Sequence, residues 1–168
     1  MEEKNIHTNP FLQQYNTPHE TVPFCDITIA DYEEAMIKGM RREDEQIERI
    51  INDPAEPTFE NTIVREDDVK DRKHYYDLLG RVESVFFNML SAETNDEMDA
   101  LAQKMSPILT KHSNDISLNP KLFERIKYVY ENHRELTDEE TMLLNNSYDG
   151  FVRSGALLDE AGKEKLRK

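Results

Sequence analysis

The sequence predicts an all-α protein, a multi-helix antiparallel array. Apolar residues recur at spacings of three, four and seven along most of the chain, which is typical of helices that bury one face. Glycine contributes only 5 of the 168 residues, and no alternating run of β-branched residues reaches strand length. Residues that cap helices stand before the apolar runs, so each helix start can be predicted individually.

The composition indicates an acidic globular domain that is not expected to bind polyanions. Lys and Arg number 21 against 35 Asp and Glu, giving a formal net charge of −14, which argues against binding to nucleic acid or anionic membranes. No stretch approaches the ~20 apolar residues of a membrane span. Met1 to Asn5 contain no apolar export segment, so we expect a cytoplasmic protein, with export of a longer precursor as the alternative.

Residues 1–27 are predicted to form an extended lead-in, and residues 28–168 a helical domain. Pro10, Pro18 and Pro23 divide the lead-in and disfavour helix at the residues before them. Its apolar residues are expected to pack across the helices: Phe11, Leu12, Tyr15 and Phe24.

The first helix is predicted to start at Thr28, a cap residue with Asp31 three positions later. Its apolar face comprises Ile29, Tyr32, Met36, Met40, Ile47 and Ile50. Gly39 lies inside this helix at a cost of roughly 1 kcal/mol relative to alanine, which indicates close approach of another backbone. The prolines at 54 and 57 end the helix.

Two longer helices should follow. Thr58 is predicted to cap a helix that runs to about Ser91. Thr94 and Glu97 match a capping box for the next helix, in which Pro107 should introduce a kink. The buried face of this next helix is predicted to be Met98, Leu101, Met105, Ile108 and Leu109.

The helices after these have the clearest start signals. Asn119 followed by Pro120 is a strong helix start, and Thr137 with Glu140 forms a second capping box. The buried faces are predicted to be Leu122, Phe123, Ile126, Val129 and Tyr130, then Leu143, Leu144, Tyr148, Phe151 and Val152. Gly155 is expected to end the second of these helices.

A last helix should begin at Asp159, with Leu166 as its first deeply buried apolar residue. A helix cut in its second turn has little intrinsic stability, so we expect this chain to be a piece of a longer protein. Residues after about Asp159 should then be frayed or held only by a neighbouring copy, and the apolar residues nearest the end should allow weak self-association, namely Leu157, Leu158 and Leu166.

No metal site is predicted from the sequence. None of the five histidines has another histidine four positions away, so the zinc-binding helix motif is absent. Asp71 and His74 come nearest to the Glu-x-x-His pattern of di-iron bundles, but a solvated charged helix face is the favoured interpretation.

Three further groups are functional candidates. Cys25, with His19 nearby in sequence, is a candidate nucleophile, although a small core residue is favoured because no electropositive site is evident. The methionines at helical spacing are interpreted as core, with a peptide groove as the alternative: Met36, Met40, Met89, Met98 and Met105. Tyr148, Asp149 and Arg153 are a candidate ligand contact, with a surface polar cluster favoured.

The residues considered so far indicate no function, but four stretches of the sequence together resemble one family. They are Asn9-Pro10-Phe11-Leu12 with Tyr15-Asn16-Thr17-Pro18-His19 and Val22-Pro23-Phe24, then Pro57-Thr58-Phe59-Glu60-Asn61-Thr62-Ile63-Val64, then Val85-Phe86-Phe87-Asn88 with Ser91-Ala92-Glu93-Thr94-Asn95-Asp96, and Phe151-Val152-Arg153-Ser154-Gly155-Ala156 with Lys163-Glu164-Lys165-Leu166-Arg167. In order and spacing they resemble the start of the peptidyl-dipeptidase branch of the thimet-oligopeptidase-like zinc metallopeptidases, relatives of oligopeptidase A.

The resemblance implies a parent several times longer, all-helical, with two lobes beside a deep channel for short peptides. This chain would begin the N-terminal lobe as one wall or lid of that channel. Zinc, held by a His-Glu-x-x-His helix and a further glutamate, would lie beyond Lys168, and the motif glutamate would act as general base on zinc-bound water. No catalytic, cofactor-binding or metal-binding residue of the family maps onto residues 1–168.

Two functions therefore remain open for this sequence. In the first, the chain is the non-catalytic part of a peptidase that releases C-terminal dipeptides; its partners are short peptides bound through the rest of an otherwise monomeric enzyme. In the second, it is a free-standing helical module that binds peptides or proteins. A reading frame that continues into a zinc-binding motif would distinguish the two.

Overall fold

The computed structural model describes residues 7–64 and 78–166. Within these ranges the chain forms helices and no strands, which confirms the predicted all-α class. The described residues cluster into two compact units, which are residues 7–42 with 78–106 and residues 43–64 with 107–166. The longest helix, α1, supplies residues to both.

Six α-helices occur among the described residues. They are α1 (Ile29–Ile51), α2 (Leu78–Ala92), α3 (Asp96–Ser117), α4 (Pro120–Asn132), α5 (Asp138–Arg153) and α6 (Glu160–Leu166). Three short 3-10 turns lie in the lead-in, at Pro10–Leu12, Pro18–Glu20 and Phe24–Asp26. None of the described helices is both long and apolar enough to cross a membrane. Helix α3 continues through Pro107, and the predicted kink stays a prediction.

Three of the predicted helix starts are confirmed by their hydrogen bonds. Asn119 accepts the backbone N–H of Leu122 at 3.1 Å. Thr137 and Glu140 form the reciprocal capping box, and the hydrogen bonds from the backbone N–H and hydroxyl of Thr137 hold the pKa of Glu140 below its usual range. Asp159 accepts a backbone N–H in the first turn of α6. Local signals of this kind were sufficient because a cap satisfies N–H groups that its own helix leaves free.

The end of α5 is also as predicted. Gly155 has a φ of +91°, a left-handed conformation that favours glycine. The N–H of Gly155 reaches the carbonyl of Val152, and the N–H of Ala156 reaches that of Phe151, each at 3.0 Å. These two bonds form a Schellman motif, which ends the helix and satisfies its last carbonyls.

The predicted capping box at Thr94 and Glu97 is wrong by one residue. Asn95 is the cap, and its side-chain oxygen accepts the N–H of Met98 at 2.9 Å. Thr94 instead donates its hydroxyl to Asp99 at 2.8 Å. Asparagine ranks above threonine as a cap, so the neighbouring residue displaced the one that matched the motif.

The continuous helix predicted from Thr58 is also wrong in its first part. Thr58 does cap a helical segment, with Asn61 completing the box, but the segment is a single π-helical turn, Phe59–Ile63. Val64 is already extended. Residues 65–77, which include the apolar positions Val69 and Tyr76, lie outside the described residues.

Aromatic contacts organise the core of the first unit. The rings of Phe11 and Tyr32 lie 5.3 Å apart, and those of Tyr32 and Phe86 lie 5.2 Å apart in an edge-to-face arrangement. Phe11 and Phe86 are fully buried. Four of the five methionines interpreted as core are buried in this unit, namely Met36, Met40, Met98 and Met105, whereas Met89 is half-buried.

Helices α4 and α5 pack together in the second unit, with the π-helical turn against both. Phe59, Val129 and Leu144 form a buried cluster. The second motif stretch therefore contributes directly to the core through Phe59.

Burial was mispredicted at several apolar positions. Phe24, Ile108, Leu143 and Leu166 were all expected to be buried but are exposed. Among the side chains of α6 that the structure describes, that of Lys163 is buried. Apolar periodicity predicts burial correctly only when other elements pack against one side of the helix along its whole length. In α5 and α6 other elements pack against only part of that side.

Phe86→Ala should destabilise the protein by about 3–5 kcal/mol, because it leaves a cavity where a fully buried ring now packs on Tyr32. Phe87→Ala is the matched control, since the adjacent ring is exposed. Urea unfolding of both variants measures the difference. Equal effects would contradict the described burial of Phe86.

Alanine should have opposite effects at two helical glycines. A Cβ on Gly39 would lie 2.9 Å from the backbone N and Cα of Leu79, whereas a Cβ on Gly150 meets nothing within 4 Å. Gly39→Ala should therefore cost about 1–3 kcal/mol through overpacking, and Gly150→Ala should gain about 0.5–1 kcal/mol from helix propensity. Thermal melts of the two variants test the contrast; a stabilising Gly39→Ala would show that the helices separate freely.

Candidate functional site

A buried carboxylate at the start of α1 binds residues on both sides of the first motif stretch. Asp31 is 2% exposed, and it accepts hydrogen bonds from the backbone N–H and the hydroxyl of Thr28, both at 2.7 Å. Nε2 of His7 lies 2.8 and 2.9 Å from its two oxygens. Burial raises the pKa of Asp31, but the hydrogen bonds from Thr28 and His7 outweigh it and hold that pKa below its usual range. The carboxylate is therefore ionised at neutral pH.

Asn9 adds a second connection between the lead-in and α1. Its amide donates to the backbone carbonyl of Asp31 at 3.0 Å and to the carboxylate of Glu34 at 2.9 Å. Its side-chain oxygen accepts the N–H of Phe11 and so starts the first 3-10 turn. One buried amide thus fixes the turn and attaches it to the helix.

Arg81 of α2 holds the same segment from the other side. It donates to the carbonyl of Phe11 and lies over the ring of Tyr15, 5.3 Å from its centroid. Burial raises the pKa of Tyr15, and the guanidinium opposes that rise only in part. Arg81 therefore holds Phe11 and Tyr15 of the first motif stretch against α2.

In the second unit the side chain of Arg125 binds an irregular segment in a similar way. Its guanidinium donates to the carbonyls of Asp53 at 2.9 Å and Ala55 at 3.3 Å and to the side-chain oxygen of Asn61 at 3.3 Å. Its side chain is only 11% exposed. A planar guanidinium has several N–H donors and can therefore bind several acceptors at once. It ties the loop after α1 and the second motif stretch to α4.

Four stacked rings join α4 and α5. Phe151 stacks on Phe123, Phe123 on Tyr148, and Tyr148 on Tyr130, at centroid distances of 6.1, 5.7 and 4.1 Å. The order of contacts reverses along the two helices, as expected of antiparallel neighbours. The fourth motif stretch enters this stack through Phe151.

The structure does not assemble Tyr148, Asp149 and Arg153 into an enclosed ligand site. The ring of Tyr148 is used in the stack, and Arg153 pairs with Asp149 at 4.0 Å with both side chains exposed. Such exposed pairs contribute little energy. The geometry fits a surface polar cluster.

Cys25 is exposed, which corrects the expectation of a small core residue. It lies in the short turn Phe24–Asp26, whose aromatic neighbour is itself exposed and leaves the thiol uncovered. In the described part of the chain no histidine hydrogen-bonds this thiol, and His19 lies in a separate turn with a φ of +58°. The arrangement provides none of the contacts that activate a thiolate.

No group of three or more potential metal ligands comes together in residues 7–64 and 78–166. His112 of α3 contacts two acidic side chains, with its Nε2 2.9 Å from Glu43 and its Nδ1 3.5 Å from Asp44. These contacts join residues far apart in sequence, as do those of Arg125, so no short motif could reveal them. Asp71 and His74 lie outside the described residues.

Comparison with known proteins gives a consistent result. No family model matches the chain. It is 38% identical over 164 residues to a dipeptidyl carboxypeptidase of Salmonella typhimurium (strain LT2), and 36% identical over 161 residues to a dipeptidyl carboxypeptidase of Escherichia coli (strain K12). The matches cover 96% and 95% of this chain but 23% of each relative. The chain thus spans about a quarter of the length of the curated relatives it matches, and the resemblance indicated by the motifs is confirmed.

Asp31→Asn should cost about 1–3 kcal/mol at neutral pH, because it removes a charged acceptor from three donors. The folded pKa of Asp31 is lowered, so the stabilisation is fully present above the unfolded value of about 3.9 and is lost as pH falls through the folded value. The wild-type advantage should therefore be constant near neutrality and shrink in acid. Urea unfolding across pH measures it.

Asp96→Asn is the matched control for this prediction, since that residue is an exposed acid in the first turn of α3. A pH-independent gap between wild type and Asp31→Asn would contradict the role assigned to the buried carboxylate.

Proposed function

We propose, from the relationship to dipeptidyl carboxypeptidases, that this chain is the N-terminal helical part of a zinc metallopeptidase that releases dipeptides from the carboxyl ends of short peptides. The observation that carries the proposal is 38% identity along almost the whole chain to a protein of that name four times its length. A cytoplasmic location belongs to the same proposal; the exposed free thiol of Cys25 is compatible with a reducing compartment.

Within this proposal the segment shapes access to a channel and does not carry out chemistry. A channel wall needs loops that keep their shape without a large core behind each of them. Arg125 and Asp31 provide this, because each fixes an irregular segment to a helix through several hydrogen bonds. Arg125 binds Asn61 of the second motif stretch, and Asn9 of the first motif stretch binds the backbone carbonyl of Asp31, which supports a role of these stretches in shape.

Zinc does not fit the residues described here. The described ranges bring no three ligands together, and the whole sequence lacks two histidines at the spacing of a zinc-binding helix. We therefore assign no catalytic step to this chain. We propose that the metal ligands, the general base and the substrate-binding groups belong to the rest of a longer protein, similar in length to the relatives.

A helical binding module is the second candidate function. Exposed apolar side chains on α5 and beyond favour it, since Met142, Leu143 and Leu157 are each about half exposed or more. Binding surfaces of soluble proteins have this character. The module would bind a protein or peptide without any continuation of the chain.

The chain alone should neither retain zinc after dialysis nor cleave a short peptide, whereas the product of a reading frame that continues into His-Glu-x-x-His should do both. Elemental analysis measures zinc, and mass spectrometry identifies a released C-terminal dipeptide. A chelator-treated sample of the longer protein is the control. Stoichiometric zinc with chelator-sensitive cleavage by residues 1–168 would overturn the proposal, and a frame without the motif would favour the binding module.

A further inference from the structure

We infer that the exposed side of α5 is the surface on which a helix packs that continues α6 after Leu166 and runs back along α5. We call this surface the α5 face, and it consists of Met142, Leu143, Asn146, Gly150 and Arg153. The inference rests on the proposed function in one respect, because it takes the chain to be part of a longer protein. It assigns no catalytic role to the face.

The apolar residues of this face are exposed in the middle of a helix whose other side is buried. Met142 is 65% and Leu143 48% exposed, whereas Leu144 is fully buried in a cluster with Phe59 and Val129. The relatives are about four times as long as this chain, so their length includes polypeptide that could cover such a surface. Burial there would remove the apolar area of both side chains from water.

Gly150 is the second observation. It lies inside α5, where glycine weakens a helix relative to alanine, and a Cβ at this position would meet no atom within 4 Å. Close packing within the described residues therefore does not explain it, in contrast to Gly39 beside Leu79. Helix backbone without a side chain permits another helix to approach closely, so the glycine fits a helical partner.

The position of α6 indicates which segment reaches the face. Helix α6 begins at Glu160, five positions after the glycine that ends α5. A Cβ on that glycine, Gly155, would lie 3.0 Å from Cδ2 of Leu166, at the other end of α6. The chain therefore turns back after α5, and α6 brings its carboxyl end to the end of α5. A helix that continued from Leu166 would start beside Arg153, the last residue of the face.

The length of α5 sets the length of helix that is needed. Leu143 lies twelve positions before Gly155, which corresponds to about 18 Å along a helix. About twelve further helical residues after Leu166 would therefore reach Leu143 in the antiparallel orientation of neighbouring helices. The exposed side chain of Leu166 would begin the apolar side of that helix. Its further residues should place apolar side chains at spacings of three and four against the α5 face.

Disulfide formation in the longer protein tests the antiparallel contact. With the native cysteines replaced by serine, Leu143→Cys is combined in turn with a cysteine at each position from about ten to fourteen residues after Leu166. At least one pair should form a disulfide on mild oxidation, because the bond requires Cα atoms within about 7 Å. Asn145→Cys, at an exposed position on α5 outside the face, is the matched control and should not pair. No disulfide with Leu143→Cys at any of these positions would overturn the inference.

Gly150→Gln gives a second measurement, with opposite signs in the two proteins. In residues 1–168 it should raise the melting temperature by about 1–4 °C, because glutamine is the better helix former. In the longer protein it should lower the melting temperature, because the added side chain has no space under the covering helix. Gly39→Ala is the matched control and should lower it in both proteins, since its clash with Leu79 lies within the chain. Stabilisation of the longer protein by Gly150→Gln would overturn the inference.

These measurements separate the inference from the proposed function, because neither depends on catalysis. A longer protein that forms the disulfide but releases no dipeptide would support the packing of α5 and overturn the proposed function. A longer protein that releases dipeptides and forms no disulfide at these positions would overturn the inference alone.

Discussion

The burial of one carboxylate, that of Asp31, is the constraint on which much of the structure depends. An ionised group is costly to bury unless its oxygens are hydrogen-bonded, and here Thr28 and His7 supply the donors. The same requirement fixes where α1 starts, because Thr28 can donate twice only from the cap position.

Sequence reasoning succeeded where the deciding contact is local. Asn119, Thr137 and Gly155 act within a few residues of themselves, so the helix boundaries that depend on them were predictable. It failed where two local signals compete, as when Asn95 replaced Thr94 as a cap. It failed as well where burial depends on distant elements, because no periodic pattern shows that Leu144 faces the core while Leu143 does not.

The candidate site was the least predictable part for the same reason. Arg125 fixes a loop about seventy residues before it, and a lone arginine in a helix carries no signal of that role in the sequence. The family resemblance detected the loop itself, since Asn61 and its neighbours belong to a motif stretch. Without the structure, however, that stretch could not be assigned a physical task. The structure indicates one, which is to hold irregular backbone in place by multiple hydrogen bonds to a single guanidinium.

A residue that lowers the stability of a fold, with no contact inside the fold that requires it, is informative about contacts outside the fold. Gly39 weakens α1, but the backbone of Leu79 at 2.9 Å accounts for it. Gly150 weakens α5 with no neighbour that requires it, and the exposed Leu143 on the same face adds a second cost. Because native stability is a small difference between large terms, two uncompensated costs on one helix face are hard to attribute to folding of the unit alone.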